Sequence, residues 1–139
     1  MKTKSFTHFE PEMLLFLLHP AIGLGTLYFT MVIAFNKYKL VVNDKVAQTT
    51  TGPLPWVGNF KVNRSRVGQI YVEQYVAYYR DDEPVYRFSV KAISLGGNIH
   101  NYIMKGLQHY EEALIIEKTL EELWQIKDHE VKNEYRQYA

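Results

Sequence analysis

The 139-residue chain contains no cysteine. Disulfides, zinc–thiolate sites, iron–sulfur clusters and cysteine nucleophiles are therefore all excluded. The five histidines stand singly and form neither an H-x-x-x-H nor an H-E-x-x-H pair, which removes the common zinc-binding patterns as well. Because no nucleophile, acid and base can be grouped from their positions, the sequence predicts a protein that is not an enzyme and that needs no metal or cofactor.

Charged residues are missing from the segment Met13–Phe35, which holds no Asp, Glu, Lys or Arg. As a helix it would be about 34 Å long, enough to cross the ~30 Å hydrocarbon layer of a bilayer. A secretory signal fits less well, because its apolar core usually has about 7 to 15 residues and precedes small residues, whereas this segment ends in bulky Phe35. We expect an uncleaved transmembrane helix, with a buried helix of a soluble protein as the alternative.

Beyond this segment the apolar period changes to two, which is typical of strands. Clusters of turn residues separate the predicted strands, at 43–44, 52–55, 81–84 and 96–98. The strands are predicted over residues 38–42, 45–51, 58–63, 67–79, 85–94 and 99–107. Residues 109–126 carry apolar side chains at spacings of three and four, and they are predicted to form an amphipathic helix.

This order of elements predicts an α+β protein. One terminal helix that closes the open end of a bent antiparallel sheet or sandwich would bury its apolar stripe, which is the pleckstrin-homology-like (PH-like) arrangement. We expect the polar C-terminal tail to be frayed or loosely docked. The predicted organisation is an N-terminal tail (1–12), a transmembrane helix (13–35), a PH-like β domain with its C-terminal helix (36–126) and the polar tail (127–139).

Several short motifs are spread over most of residues 13–126. They are Asn36-Lys37, Gly52-Pro53-Leu54-Pro55-Trp56, Gln69-Ile70-Tyr71-Val72, Gly106-Leu107 and Glu112-Ala113-Leu114 through Glu117. Together they resemble a group of largely uncharacterised bacterial membrane proteins with a PH-like domain. The resemblance implies the fold and a bacterial membrane setting, and it brings no activity or catalytic residues.

Positive charge is concentrated next to the apolar segment. Residues 36–66 contain six Lys or Arg and one Asp, whereas residues 67–139 contain eight Lys or Arg and twelve Asp or Glu. Basic residues that follow a span favour the cytoplasmic side, so we expect the folded domain there. They also attract anionic headgroups, and the candidate lipid-facing set is Lys37, Lys39, Lys45, Lys61, Arg64 and Arg66. Nucleic-acid binding is not expected, because the acidic half would repel phosphate.

Two further sets of residues are candidates for protein contacts. Small residues at i, i+4 spacing allow a second transmembrane helix to approach closely, and here they are Ala21, Gly25, Thr26 and Thr30. Aromatic residues are enriched at interfaces, and the predicted interaction surface is Trp56, Tyr71, Tyr75 and Tyr79. The alternative for each set is ordinary packing, in lipid for the first and in the core of the sheet for the second.

The favoured hypothesis is a membrane-tethered PH-like interaction module, an accessory or assembly component of a membrane protein complex. Its partners would be membrane lipid and another membrane protein that contacts the helix or the β domain. Confinement of both partners to the membrane surface raises their effective concentration, so a weak contact between them would suffice for association. The alternative is a sensor of anionic lipid headgroups, which requires the basic side chains to converge on one loop mouth.

Overall fold

The computed structural model describes residues 11–132 and 134–136. Of the predicted N-terminal tail (1–12), residues 1–10 lie outside the described residues, and residues 11 and 12 belong to the first helix. A short 3-10 helix, Arg64–Arg66, connects the third and fourth strands. The other elements, in chain order, are α1 (Pro11–Phe35), β1 (Lys37–Val42), β2 (Val46–Gly52), β3 (Phe60–Asn63), β4 (Val67–Arg80), β5 (Glu83–Ser94), β6 (His100–Leu107) and α2 (Tyr110–Trp124).

The strands form two antiparallel sheets, ordered β1-β2-β3 and β4-β5-β6. Neighbours in the chain are neighbours in the sheet because short turns connect them, as expected for meanders. The predicted α+β class, with an apolar N-terminal helix, antiparallel strands and a C-terminal helix, is confirmed. Strand and α2 boundaries differ from the predicted ones by two residues or fewer.

The core lies between α2 and the second sheet and continues to the first sheet. The apolar stripe of α2, with Ala113, Leu120 and Trp124 buried, packs against side chains from β4 and β5 such as Ile70 and Val90. Ala47 and Val62 bring β2 and β3 into the same apolar cluster. A single core therefore joins both sheets and the terminal helix, as layered packing requires.

A buried hydrogen bond also connects the two sheets. The register of β5 and β6 passes from Val90–Met104 to Lys91–Tyr102, so Ile103 is the extra residue of a β-bulge. Its carbonyl accepts a hydrogen bond from the hydroxyl of Thr49, which is 1% exposed. The bulge thus frees a carbonyl in one sheet for a donor in the other.

The β body has two distinct ends. β1 begins one residue after α1, with Lys37 paired to Gly52, and ends about 17 Å further on, with Val42 paired to Ala47. We call these the α1 end and the far end. The far end is closed by the indole of Trp124, which donates to the carbonyl of Asn43 at 2.7 Å, and by Arg64, which donates to the carbonyl of Trp124 at 2.8 Å.

Helix α1 stands outside this core. Of its described side chains only Val32 is buried. The stretch Leu15–Phe35 is long and apolar enough to cross a membrane. In contrast to a core helix, it exposes large apolar side chains on all of its faces.

The C-terminal tail is better packed than expected from its polar composition. The backbone N–H of Tyr135 donates to the carbonyl of Val72 at 2.8 Å, which extends the pairing of β4 at its outer edge. The ring of Tyr135 packs at 5.2 Å from that of Phe88 and 5.0 Å from that of Tyr110. The described part of the tail is therefore docked on the body, and aromatic contacts hold it there.

We expect Thr49→Val to lower the free energy of unfolding by about 1–3 kcal/mol, because a near-isosteric change leaves the buried carbonyl of Ile103 without its donor. Urea unfolding of the full chain in detergent micelles measures this. Thr50→Val is the matched control, since its hydroxyl lies 3.5 Å from its acceptor and is less buried; it should change stability by less than about 0.5 kcal/mol. Equal losses for both variants would contradict the proposed link between the sheets.

Candidate functional site

The loop Gly52–Gly58, which we call the collar loop, is fastened to the end of α1. The side-chain amide of Asn36 donates to the carbonyl of Leu54 at 2.9 Å, and its oxygen accepts from the N–H of Leu54 at 2.8 Å. Asn36 is the single residue between α1 and β1. This paired contact sets the angle at which the β body leaves the helix.

The collar loop also runs back along the side of α1. The hydroxyl of Tyr28 donates to the carbonyl of Pro55, and the ring of Phe29 packs on that of Trp56 at 5.7 Å. Below these contacts lies a cavity of about 340 Å³, between Val32 on the helix and Tyr38 on β1. Its lining is predominantly apolar, with Asn36 and Thr51 as polar members, so the junction of helix and β body is not completely filled.

A hairpin formed by the ends of β4 and β5 extends past the rest of its sheet. We call Val76–Tyr86 the arm. β6 covers β5 only as far as Phe88. The turn at Asp81 and Asp82 has positive φ at both residues, as a two-residue type I′ turn requires. The exposed apolar and aromatic side chains of the arm are Val76, Tyr78, Tyr79 and Tyr86, with Tyr79 the most exposed at 69%.

The arm leaves the body at the α1 end. β4 starts at the far end, where Arg66 accepts a backbone bond from Leu95, and runs toward Tyr75 at the base of the arm. The pKa of Tyr75 is raised mainly by burial and by the phenol of Tyr102; a backbone hydrogen bond with Gly106 and the charge of Arg87 oppose this, and the nearby phenol of Tyr38 adds a smaller increase. Since Tyr38 is the second residue of β1, the base of the arm lies on the side of the body from which α1 emerges.

The predicted aromatic surface does not form one face. Tyr79 is exposed on the arm, Tyr75 is partly buried beneath the Lys105 ammonium, and Trp56 lies in the collar loop. Tyr71 is only 2% exposed, and its hydroxyl is hydrogen-bonded to Nδ1 of His100 at 2.8 Å. Its assignment to the interaction surface was wrong, because β4 is covered on both faces over residues 70–72.

The predicted basic set is divided between the two ends of the body. Lys37 and Lys39 lie at the α1 end, whereas Lys45 lies in the turn at the far end beside Arg64. Lys61, opposite Gln48, lines a cavity together with Arg66. The guanidinium of Arg64 is already bonded to the carbonyls of Trp124 and Val67. These side chains therefore do not converge on one loop mouth, which is the geometry that a headgroup sensor needs.

The small residues of α1 lie on open helix surface. Ala21, Gly25, Thr26 and Thr30 are exposed, and a Cβ added at Gly25 would meet nothing within 4 Å. The hydroxyls of Thr26 and Thr30 donate to carbonyls one turn earlier, at 2.9 Å each. Their polar groups are thus satisfied within the helix, and they present small apolar surface to whatever lies beside it.

A buried carboxylate lies between α2 and the tail. Glu117 is 6% exposed, and one of its oxygens has no hydrogen-bond partner among the described residues. Its pKa is raised to about 8, mainly by burial and also by the nearby carboxylates of Glu121, Glu134 and Asp128, against a smaller opposing effect of Lys118. Burial likewise raises the pKa of Glu121 to about 6. Docking of the tail therefore favours the protonated carboxyl groups.

Within residues 11–132 and 134–136 no group of three or more His, Asp or Glu side chains is placed to hold a metal ion. No protein family, curated protein or solved structure matches the chain. The collar loop and the arm, both at the α1 end, are therefore the candidate functional surfaces.

Some of the residues that organise this end were not predicted. Asn36 and Tyr28 belonged to the predicted span and its boundary, and no bonding role followed from the sequence. A polar residue directly after an apolar helix, with a proline-rich loop later in the chain, is the available signal, since such a loop leaves backbone groups that need partners.

We expect the stability of the domain to fall as the pH rises from about 4.5 to about 8. The pKa of Glu117 in the folded protein lies above its usual value, so the stabilising contribution is complete below the unfolded pKa and is lost as pH rises through the folded one. Glu117→Gln should remove the decline between about pH 6 and 8 and raise the melting temperature at pH 8. Thermal unfolding at a series of pH values measures both.

Glu122→Gln on the exposed side of α2 is the matched control, and it should keep the wild-type pH dependence. A Glu117→Gln protein whose melting temperature declines with pH as steeply as the wild type would contradict the assignment.

Proposed function

We propose that the protein is a membrane-tethered interaction module with a PH-like β domain, an accessory or assembly component that holds a partner at the bilayer. The observation that carries the proposal is the arm, which presents exposed tyrosines at the same end of the body as the apolar helix.

The exposed apolar surface of α1 supports the membrane setting. Large side chains such as Phe16, Leu24 and Ile33 are more than half exposed. A soluble monomer rarely leaves so continuous an apolar surface in water. A bilayer would cover it without leaving the hydroxyls of Thr26 and Thr30 unpaired, because both are bonded within the helix.

The arm supports a protein partner. Within the described residues, neither long edge of the arm pairs with another strand. Unpaired edges are templates for strand addition. Tyrosines supply large contact areas that bind with little loss of side-chain entropy. Since the arm lies at the α1 end, a partner that reaches it would itself be in or near the membrane.

The contacts of Asn36, Tyr28 and Phe29 with the collar loop support a fixed presentation. A domain held at one angle to its helix keeps the arm at a constant height above the bilayer. Pre-organisation of this kind reduces the entropy lost on binding. The fixed angle favours the hypothesis of an accessory subunit that docks beside a neighbouring protein. A domain on a flexible tether would not need it.

The finer assignments follow from the element order and the residues beside α1. Two antiparallel sheets closed by a terminal helix support the PH-like assignment. Lys37 and Lys39 at the α1 end support a cytoplasmic location of the domain in a bacterial membrane. The small-residue face of Ala21 and Gly25 offers a further contact for a neighbouring helix.

We expect the full-length chain to remain in the membrane pellet after alkaline carbonate extraction. To establish on which side of the membrane the domain lies, Leu95→Cys introduces a single thiol at an exposed position of the far end. The chain has no other cysteine. A membrane-impermeant maleimide should label it only after the cells are permeabilised. Recovery of the protein in the carbonate supernatant would refute the anchoring, and labelling of intact cells would refute the cytoplasmic side.

We expect a photo-crosslinking residue at position 79, in place of Tyr79, to form an adduct with one membrane protein in native membranes. The same residue in place of Leu95, which is equally exposed but at the far end, is the matched control and should not form that adduct. Denaturing gels and mass spectrometry of the adducts measure the difference. Identical products from both positions, or none from position 79, would refute the arm as the binding surface.

A further inference from the structure

The collar loop lies beside α1 and not beyond its end. Its contacts are with Tyr28 and Phe29, which precede Phe35 by seven and six residues. At 1.5 Å per residue, the loop tip is level with a point about 9–10 Å before the end of the apolar segment.

This depth conflicts with a loop in water if α1 spans the bilayer. The stretch Leu15–Phe35 is about 31 Å long, which matches the ~30 Å hydrocarbon layer. Moving the helix outward until the loop cleared the hydrocarbon would leave Leu15–Leu27, about 20 Å, within it. That would expose Ile33 and Phe35 to water and impose a mismatch of about 10 Å.

The backbone of the collar loop is suited to such a position. Pro53 and Pro55 have no N–H, and the N–H of Leu54 is bonded to Asn36. The carbonyls of Leu54 and Pro55 accept from Asn36 and Tyr28. Irregular backbone is tolerated at membrane depth only where its polar groups are paired within the protein, and Asn36 and Tyr28 supply these partners for Leu54 and Pro55.

The loop exposes two apolar side chains near its C-terminal end. Val57 is 77% exposed, and Trp56, whose ring packs on Phe29 of α1, is 37% exposed. No Asp, Glu, Lys or Arg occurs between Val46 and Phe60. A loop without charged residues that carries a Trp and a Val is suited to the region where the acyl chains meet the headgroups.

We propose that the collar loop is a second lipid-contacting element, in which Trp56 and Val57 insert among the acyl chains beside α1. This inference rests on the proposed membrane anchoring. It means that the β body is held to the bilayer at two points, and that the arm keeps one height and one rotation relative to the membrane.

The test uses the full chain in phosphatidylcholine vesicles with brominated acyl chains. Trp124→Phe leaves Trp56 as the only tryptophan, and Trp56→Phe leaves buried Trp124 at the far end as the matched control. We expect brominated chains to remove most of the Trp56 emission, aqueous iodide to have little effect on it, and neither quencher to affect Trp124 strongly.

Flotation of the same vesicles separates the two hypotheses. Protein that floats while iodide, and not brominated lipid, quenches Trp56 would overturn the lipid contact and leave the anchoring intact. Protection of Trp56 from both quenchers would show that protein covers the loop, which also overturns the inference. Failure to float would overturn the anchoring and this inference with it.

A spin label provides a readout that does not depend on tolerance of Trp124→Phe. Val57→Cys and Leu95→Cys each introduce a single labelling site, because the chain has no cysteine. The label at position 57 should be accessible to oxygen and shielded from a water-soluble nickel relaxant, with the opposite behaviour at position 95. Equal accessibility to the nickel reagent at both positions would overturn the proposal.

Discussion

The pair of hydrogen bonds between Asn36 and the main chain of Leu54 is the interaction on which the placement of the surfaces depends. Asn36 is the only residue between α1 and β1, so without a partner it would be a hinge with two free backbone torsions. Its amide both donates and accepts, and it therefore pairs with the loop as another backbone unit would. Helix, collar loop and β1 become one unit, and the arm acquires a defined position relative to α1.

The two ends of the β body differ in their contacts. At the far end Trp124 and Arg64 tie α2 to the turn after β1 and to the start of β4, so the polar groups there are engaged with one another. At the α1 end hydrogen bonds from Asn36 and Tyr28 and the packing of Phe29 on Trp56 hold the collar loop. Single apolar side chains such as Leu95 are exposed at the far end as well, whereas exposed aromatic side chains are found on the arm and the collar loop. That distribution is expected if membrane or a membrane neighbour covers the α1 end.

The element order could be predicted because each element carries its own local period, with the apolar run for α1, alternation for the strands and spacings of three and four for α2. Contacts between distant positions, such as Asn36 with Leu54 or Arg64 with Trp124, have no local signature. Tyr71 was assigned to the surface because alternation assumes one open face. The continuous run Ile70-Tyr71-Val72 was in fact the signal of a strand covered on both sides. The basic residues were grouped because they share a charge. Their separation, for example of Lys37 from Lys45, follows only from the strand register.

The tail covers the second sheet only as far as the base of the arm. Tyr135 pairs with Val72 and packs on Phe88, so it covers the edge and face of β4 and β5 just before the arm begins. Natural proteins protect edge strands by covering them or by placing charges on them, yet beyond this point the arm carries tyrosines on both of its strands. A two-stranded ribbon alone in water is marginally stable. Burial of its tyrosines against a neighbour would stabilise the arm. If α1 spans a bilayer, the position of the arm at the α1 end places that neighbour in or beside the membrane.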